Sequence, residues 1–301
     1  MSDGTAKVIA VLRLVLPKGS LERATIDLFE AADLALSRSS DVDYRASIED
    51  HRISEVRILR PQEIPGYVAE GLFDIGITGR DWVEESGAAV VPLSELQYSK
   101  ATSQPIRIVL AVAENSPWHS VKDMPDGVRV STEYPELTRR FFTENGVEPE
   151  IALSYGATEA KIPEIADAVV ELTETGRALK AAGLRQLETI LVSYTEMIAN
   201  PASYADPAMR RAMEHISTLL QGVLTARGRV LVKLNVGKTD LDKVIALLPA
   251  MRSPTVSELF GGGNYAVETV VPKEAINKLI PELKEAGASD IIELPISKIV
   301  A

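Results

Sequence analysis

The chain has 301 residues, 46% hydrophobic and 25% charged, which suffices to bury the cores of two or three compact units. Its 43 acidic against 32 basic side chains give a formal charge of -11, which argues against a surface that tracks nucleic-acid phosphates. There is no cysteine, so disulfides, thiolate nucleophiles and cysteine-held metals are excluded, and no apolar run reaches the length of a membrane span.

In chain order, KVIAVLRLVLP reads as a first strand rather than a signal peptide, because Arg13 interrupts the apolar run and no small-residue cleavage site follows; the expected location is cytoplasmic. An amphipathic stretch runs from Leu21 to Leu36, followed by a polar hairpin over YRASIEDHRISEVRILR and a short helix in PQEIPGYVAEGL. In DIGITGRDWVEE a short apolar strand ends at Thr78 and Gly79 and turns into a helix, a junction that aims free backbone N–H groups at a ligand. A second block alternates strand and helix again: strand 106–113, strand VRVST, helix PELTRRFFTENG, strand EIALSY, and strand ADAVVEL leading into TETGRALKAAG. LETILVSYTEMIA reads as strand, and NPASYADPAMRRAMEHISTLLQGVLTA as turn residues before a long helix that packs back on the first block. The remainder gives strand RVLVKLNV, helix DLDKVIALLPAM, strand TVSELF, turn GGGN, strand YAVETVVP, helix KEAINKLIPELKEAG and strand SDIIELPI. That β-α-β-β-α-β order is the ferredoxin-like arrangement, with a boundary near Ala226-Arg227-Gly228. No sequence repeat is visible.

The junction of ADAVVEL with TETGRAL carries most of the chemistry. Asp167 and Glu171 on a buried strand can accept hydrogen bonds from ribose hydroxyls, while Thr173, Thr175 and the N–H groups around Gly176 can hold a sugar phosphate. The same residues also read as a strand-to-helix turn with threonine caps and a glycine for conformational freedom. His51, His119 and His215 have no metal-ligand spacing, Trp82 and Trp118 read as packing residues rather than base-stacking platforms, and no nucleophile–base–orienter set is visible.

GLFDIGITGRDWVEE, STEYPELTRRFF, GATEAKIPEIADAVVELTETGRALKAAGL and MRSPTV, in that order, closely resemble the ATP phosphoribosyltransferase family in its long, histidine-regulated form. The resemblance extends from LPKGSL near Lys18 through the last strand. It implies an α/β fold with a two-lobed, periplasmic-binding-protein-like (type II) catalytic unit and a C-terminal ferredoxin-like (ACT-like) regulatory domain. Lobe I would be 1–102 with 196–225, lobe II 103–195, and the regulatory domain 226–301. The implied reaction joins adenine N1 of ATP to C1 of phosphoribosyl diphosphate with inversion, giving phosphoribosyl-ATP and pyrophosphate, the first step of L-histidine biosynthesis. Such a displacement needs positioning and charge stabilisation rather than a covalent intermediate, which fits the missing nucleophile set. Mg2+ on the substrate phosphates, inhibition by L-histidine and a homo-oligomer, dimer to hexamer, are implied as well. A two-lobed solute-binding protein without catalysis would share the fold and is the alternative; a ligand-sensing regulator with a degenerate scaffold is a third reading.

Carried over by residue, the resemblance implies roles near the ribose for Glu159, Asp167 and Glu171. It implies a phosphoribosyl diphosphate loop of Thr173, Glu174, Thr175, Gly176, Arg177, Ala178 and Leu179. Ala178 stands where many relatives have threonine, which leaves more of the phosphate to Thr173 and Thr175. On the ATP side it implies Lys18, Gly19, Arg60, Thr78, Gly79, Asp81 and Arg107, while Ser20 in PKGSL replaces a cation that relatives keep. For the effector it implies Asn235, Met251, Ser253 and Thr255, with Asn235 lacking the charge of the aspartate common there. Plainer readings stand beside these: a solvated loop carboxylate for Glu159, a turn for Lys18, a surface ion pair for Arg60, and a turn entering a strand for Ser253-Pro254-Thr255.

Overall fold

A computed structural model describes residues 11–40, 42–98, 106–249 and 253–300, so Met251 lies outside the described residues. The chain first lays down β1 (Leu12–Pro17), α1 (Glu22–Ala31), β2 (Leu36–Ser37), β3 (Arg45–Ile48), β4 (Ile53–Leu59), α2 (Ile64–Ala69), β5 (Ile75–Gly79), α3 (Arg80–Ser86) and β6 (Val91–Leu96). β1 pairs in parallel with β4 and β5, and every residue of β5 is buried, as near-continuous apolar strands covered on both faces require. The predicted hairpin is β3 with β4, paired antiparallel. β6 had no counterpart in the sequence reading; it lies at the edge of the sheet, the one place where Pro92 removes no needed ladder bond.

Lobe II follows as β7 (Ile106–Ala113), β8 (Arg129–Thr132), α4 (Pro135–Glu144), β9 (Glu150–Leu153), β10 (Ala168–Thr173), α5 (Arg177–Ala181) and β11 (Leu184–Ser193), in the spatial order β11-β7-β10-β8-β9. β12 (Thr195–Ala199) then returns to the first sheet, whose order is β2-β3-β4-β1-β5-β12-β6. The segment read as one strand, LETILVSYTEMIA, is therefore two strands in two sheets. The backbone changes sheets at Tyr194, whose carbonyl accepts the Arg80 N–H at 2.9 Å.

The lobes repeat one plan that the sequence did not reveal. In each, three parallel strands (β4-β1-β5 and β9-β8-β10) are followed by an antiparallel strand directly connected to the other lobe (β12 and β7) and then by a last antiparallel strand (β6 and β11). A local device repeats too. Asp74, just before β5, takes the Arg13 N–H at 2.8 Å and its guanidinium at 3.0 and 2.9 Å; Asp167, just before β10, takes the Arg129 N–H at 3.0 Å and its guanidinium at 3.1 and 2.6 Å. Each clasp ties the amino end of a central strand to its neighbour with charge-assisted bonds.

After α6 (Pro201–Ala205) comes the long α7 (Pro207–Ala226), and the second compact unit begins at Thr218 inside it. This unit takes in the last turns of α7, ahead of the sequence boundary near Ala226, and those turns hold the tail: the Ile299 N–H donates to the Gly222 carbonyl at 2.9 Å, and a Cβ on Gly222 would meet Val300 at 3.2 Å. This unit continues with β13 (Arg229–Gly237), α8 (Leu241–Leu247), β14 (Thr255–Glu258), β15 (Asn264–Pro272), α9 (Ile276–Glu285) and β16 (Ala288–Pro295). Its strand order β14-β15-β13-β16, antiparallel throughout, is the expected ferredoxin-like sheet. Alternate residues of β13, from Val230 to Val236, face a core shared with Val244, Leu279 and Leu283 of the two helices.

Candidate active site

The carboxyl ends of β1, β4, β5 and β10 meet at a cleft between the lobes with a volume of about 570 Å³, a size suited to a small ligand. Ser20, Leu21, Pro61, Gly79, Asp81, Trp82, Glu95, Gln97 and Tyr98 line it from lobe I, and Ile106, Leu172, Glu174 and Val192 from lobe II. Ser193, Tyr194 and Thr195, where the chain crosses between lobes, close the back.

On the lobe I side, Lys18 and Arg60 follow paired strand ends, since Pro17 is opposite Leu59 in the parallel ladder. Arg60 is exposed. Lys18 is half-buried, pairs with Glu22 at 3.5 Å and lies 5.0 Å from the Tyr44 ring centroid, so much of its charge is already engaged; the Gly19 N–H also points at Glu22. Thr78 is fully buried and donates to the Pro61 carbonyl at 2.8 Å, holding the β4 and β5 exits together rather than facing a ligand. Gly79 is required by packing, because a Cβ there would come within 2.1 Å of Asp81 Oδ1.

Asp81 is the most committed group of this side. It is 2% exposed, and each oxygen receives a hydroxyl: Ser193 donates to Oδ1 at 2.7 Å and Tyr134 of lobe II to Oδ2 at 2.9 Å. Burial pushes its carboxyl pKa up, against the pull of these two hydroxyls, and burial together with Asp81 raises the Tyr134 phenol well above its ordinary value. Trp82 stacks on Tyr134 with ring centroids 4.7 Å apart, and Glu85 accepts the Glu136 and Leu137 N–H groups at 3.0 and 2.8 Å. Thus α3, part of lobe I, is bolted to the start of α4 in lobe II. Sequence reading missed Tyr134 and Ser193, since only the tertiary fold brings either to Asp81.

On the lobe II side the β10–α5 turn is open. The Thr173 hydroxyl accepts the Gly176 N–H at 2.8 Å and sets the turn; Gly176 adopts φ +75° with no atom within 4 Å of a would-be Cβ. Thr175, Arg177 and Ala178 are exposed, Glu174 faces the cleft, and Leu179 is buried with Val109 and Val169, anchoring α5 rather than touching a ligand. Arg107, expected on the ATP side from the start of the second-lobe strand, pairs with Thr173 across the β7–β10 ladder and donates to Gln186 at 3.3 Å.

The three carboxylates expected near the ribose separate. Glu171 lies at the carboxyl end of β10, its pKa raised by burial and by the nearby Glu133 and Glu159 carboxylates against the Thr158 hydroxyl and Leu172 N–H, which favour the charged form. Glu159 therefore stands close to Glu171, on the single-turn 3-10 helix Thr158–Lys161. Asp167 sits four residues earlier, about 13 Å away along a strand, at the opposite end of β10, and its carboxylate is held by Arg129, which lowers its pKa.

In the C-terminal unit, Ser253 and Thr255 are exposed, and Thr255 and Asn235 share the open sheet face but stand two strands and two residues apart, about 12 Å, flanking the Lys233–Glu268 ion pair at 2.7 Å. The structure does not bring them together. Asn235 instead donates to Asp290 at 2.9 Å, a carboxylate the sequence reading had not singled out.

Comparisons with known proteins agree with this architecture. The ATP phosphoribosyltransferase family model matches residues 60–222, and the model described as HisG, C-terminal domain, matches 226–298. Proteins named ATP phosphoribosyltransferase from Pelotomaculum thermopropionicum and Chlorobium phaeovibrioides are each 46% identical over 96% of the chain and cover 99% and 98% of their own lengths. A solved ATP phosphoribosyl transferase (HisG:HisZ) complex from Thermotoga maritima matches with a TM-score of 0.56 and 27% identity over 68% of this chain and 99% of that one. A solute-binding protein without catalysis is not favoured by these matches. The chain belongs to the ATP phosphoribosyltransferase family.

Proposed function

We propose that the interlobe cleft carries out the family's reaction, the opening step of histidine biosynthesis, with one substrate held by each lobe. Phosphoribosyl diphosphate sits at the β10–α5 turn, where the N–H groups of 174–178 and the Thr173 and Thr175 hydroxyls take the 5′-phosphate and Glu171 accepts from ribose hydroxyls. ATP enters from the lobe I side past Lys18 and Arg60, its adenine against the apolar walls near Leu21, Trp82 and Leu172, so that N1 faces C1. Displacement inverts C1 and releases pyrophosphate, and the Glu159 and Glu171 carboxylates favour the positive charge that develops on the ribose. The observation that carries this reading is the open left-handed turn at Gly176 beside the carboxylate of Glu171.

Both substrates are polyanions and the chain is itself acidic, so Mg2+ on the phosphate oxygens offsets the repulsion. The ion would travel with the phosphates and keep several of its waters. L-Histidine would bind the C-terminal unit, with Asp290 beside Asn235 supplying the carboxylate that an amino-acid ammonium needs. A cytoplasmic homo-oligomer, dimer to hexamer, completes the proposal; among the described residues no helix is long and apolar enough to cross a membrane.

The test is to mix ATP, phosphoribosyl diphosphate and Mg2+ and follow product absorbance with and without L-histidine. Turnover requiring all three and inhibited by histidine is expected, with Asp290→Asn weakening inhibition at an unchanged basal rate. No product would overturn the site assignment, and calorimetry showing no histidine binding would overturn the effector assignment alone.

A further inference from the structure

At the end of β6, Glu95 and Gln97 flank Leu96, which has no exposed surface, and strand alternation turns both polar side chains to the cleft. Other polar side chains on this wall and at the crossing are committed elsewhere. Asp81 gives its oxygens to Ser193 and Tyr134, the Thr195 hydroxyl donates to the Tyr98 carbonyl at 3.2 Å, and Tyr194 accepts from the Arg80 guanidinium at 3.1 Å. Of the two carboxylates that line the cleft from lobe I, Asp81 and Glu95, Asp81 is therefore spent within the protein, while Glu95 is exposed to the cleft. Glu95 neighbours the Tyr194 phenol, which burial and Glu95 push up and Arg80 pulls down. A carboxylate offers about four acceptor positions, more than one neighbouring hydroxyl can take. Leu21, Trp82 and Leu172 line the same cleft, and a base lying on such apolar walls has to set its polar edge against a partner.

We propose that Glu95 recognises the purine: it accepts a hydrogen bond from the 6-amino group of adenine and stabilises the positive charge that the displacement puts there. The inference rests on the placement of ATP given above. In that displacement N1 gives its lone pair to C1, while the C1–oxygen bond breaks and its electron pair leaves with pyrophosphate. The base starts neutral and ends as an amidinium, its one positive charge shared between N1 and the 6-amino nitrogen. The 6-amino N–H thus becomes a stronger donor as the new bond forms, and no proton has to leave it. A carboxylate on that N–H binds the transition state more tightly than the ground state, which raises kcat rather than lowering KM. The same carboxylate rejects a 6-oxo purine, which presents an acceptor oxygen where Glu95 needs a donor.

The experiment is Glu95→Gln, which keeps the size and an acceptor oxygen but removes the charge. At saturating phosphoribosyl diphosphate it should lower kcat by about tenfold or more, with KM for ATP and for phosphoribosyl diphosphate moved by no more than about threefold. The second readout needs no turnover. Calorimetry should show the parent binding inosine triphosphate about 10–100-fold more weakly than ATP, and Glu95→Gln, whose amide can turn either its oxygen or its NH2 to the base, narrowing that ratio to about threefold. Because the ratio compares two nucleotides on one protein, it holds even if the variant folds less completely. A parent that turns over ATP, with a Glu95→Gln variant whose kcat and nucleotide ratio both stay within about twofold of it, would overturn the inference and leave the reaction assignment standing. A parent that binds both nucleotides equally would overturn the recognition by Glu95 as well. No turnover by the parent would instead overturn the reaction assignment, and the calorimetric ratio would still decide whether Glu95 reads the base.

Discussion

The two lobes share their strand plan and their Arg–Asp clasps, yet they treat the corresponding strand-to-helix junction in opposite ways. In lobe I the β5–α3 junction is plugged, because the buried Asp81 carboxylate fills the space beside Gly79 and spends both oxygens on Ser193 and Tyr134. In lobe II the β10–α5 junction is vacant beside Gly176, with exposed polar residues on the turn and Glu171 next to it. A repeated scaffold thus places two helix starts at one cleft, and what fills each start decides whether it holds the protein together or receives a ligand. Fold alone would not have distinguished them.

The largest effect that could break this contrast is at the glycines. Gly79→Ala forces a Cβ to within 2.1 Å of Asp81 Oδ1, and displacing that buried carboxylate should cost about 3 kcal/mol or more in urea denaturation. Gly176→Ala meets open space and should cost about 1 kcal/mol from its left-handed φ alone, with the loss falling on turnover instead. Equal stability losses would erase the distinction between plugged and open junctions. Next, Glu171→Ala should lower kcat/KM by roughly 10–100-fold, about 1–3 kcal/mol, at an unchanged melting temperature. Unchanged kinetics would remove the loop from the site.

Lobe I buries a second acid, Glu196 of β12, 3% exposed and paired with Thr78 and Glu95 across the ladders. Burial pushes its pKa from 4.5 to about 7, with Arg80 pulling it down and Glu84, Glu95 and Asp81 pushing it up. The folded state keeps this proton longer than the unfolded chain does, so the stability it confers is full below the unfolded value and is lost as pH rises toward about 7. Glu196→Gln should cancel that decline and stand about 1–2 kcal/mol above the parent at slightly alkaline pH; parallel stability curves between parent and variant would refute it. The smallest effects belong to the clasps. Asp74, 4% exposed, should lose about 1–2 kcal/mol as Asn, and Asp167, 31% exposed, under about 1 kcal/mol. Both carboxyls have lowered pKa values, so their contribution is present above the unfolded value and disappears as pH falls through the folded one. Asp167→Asn should leave kcat/KM within about twofold; a large kinetic loss would return Asp167 to the site.

Local signals carried most of the fold into the sequence: the apolar runs of β5 and β10, the YRASIED hairpin, and the β-α-β-β-α-β tail were all readable from periodicity and turn residues. The open turn was readable too, since Thr173 and Gly176 act within four residues of one another. What was lost needed distance. Asp167 and Glu171 look like neighbours in ADAVVEL, but an extended strand sends them to opposite ends. The Asp81–Tyr134–Ser193 contacts span 53 and 112 residues. The change of sheet at Tyr194 left no break in the apolar pattern of 187–199 to mark it.

That crossing offers a clock. β11 and β12 are separated by a single residue, and the Arg80 N–H to Tyr194 carbonyl bond sits on it. A backbone amide exchanges its hydrogen with solvent only when its bond opens, so the Arg80 amide exchanges at the frequency with which the crossing loosens, whereas amides inside β10 wait for deeper unfolding. Deuterium uptake at this one position, followed as each substrate is added, should therefore count how often the lobes part.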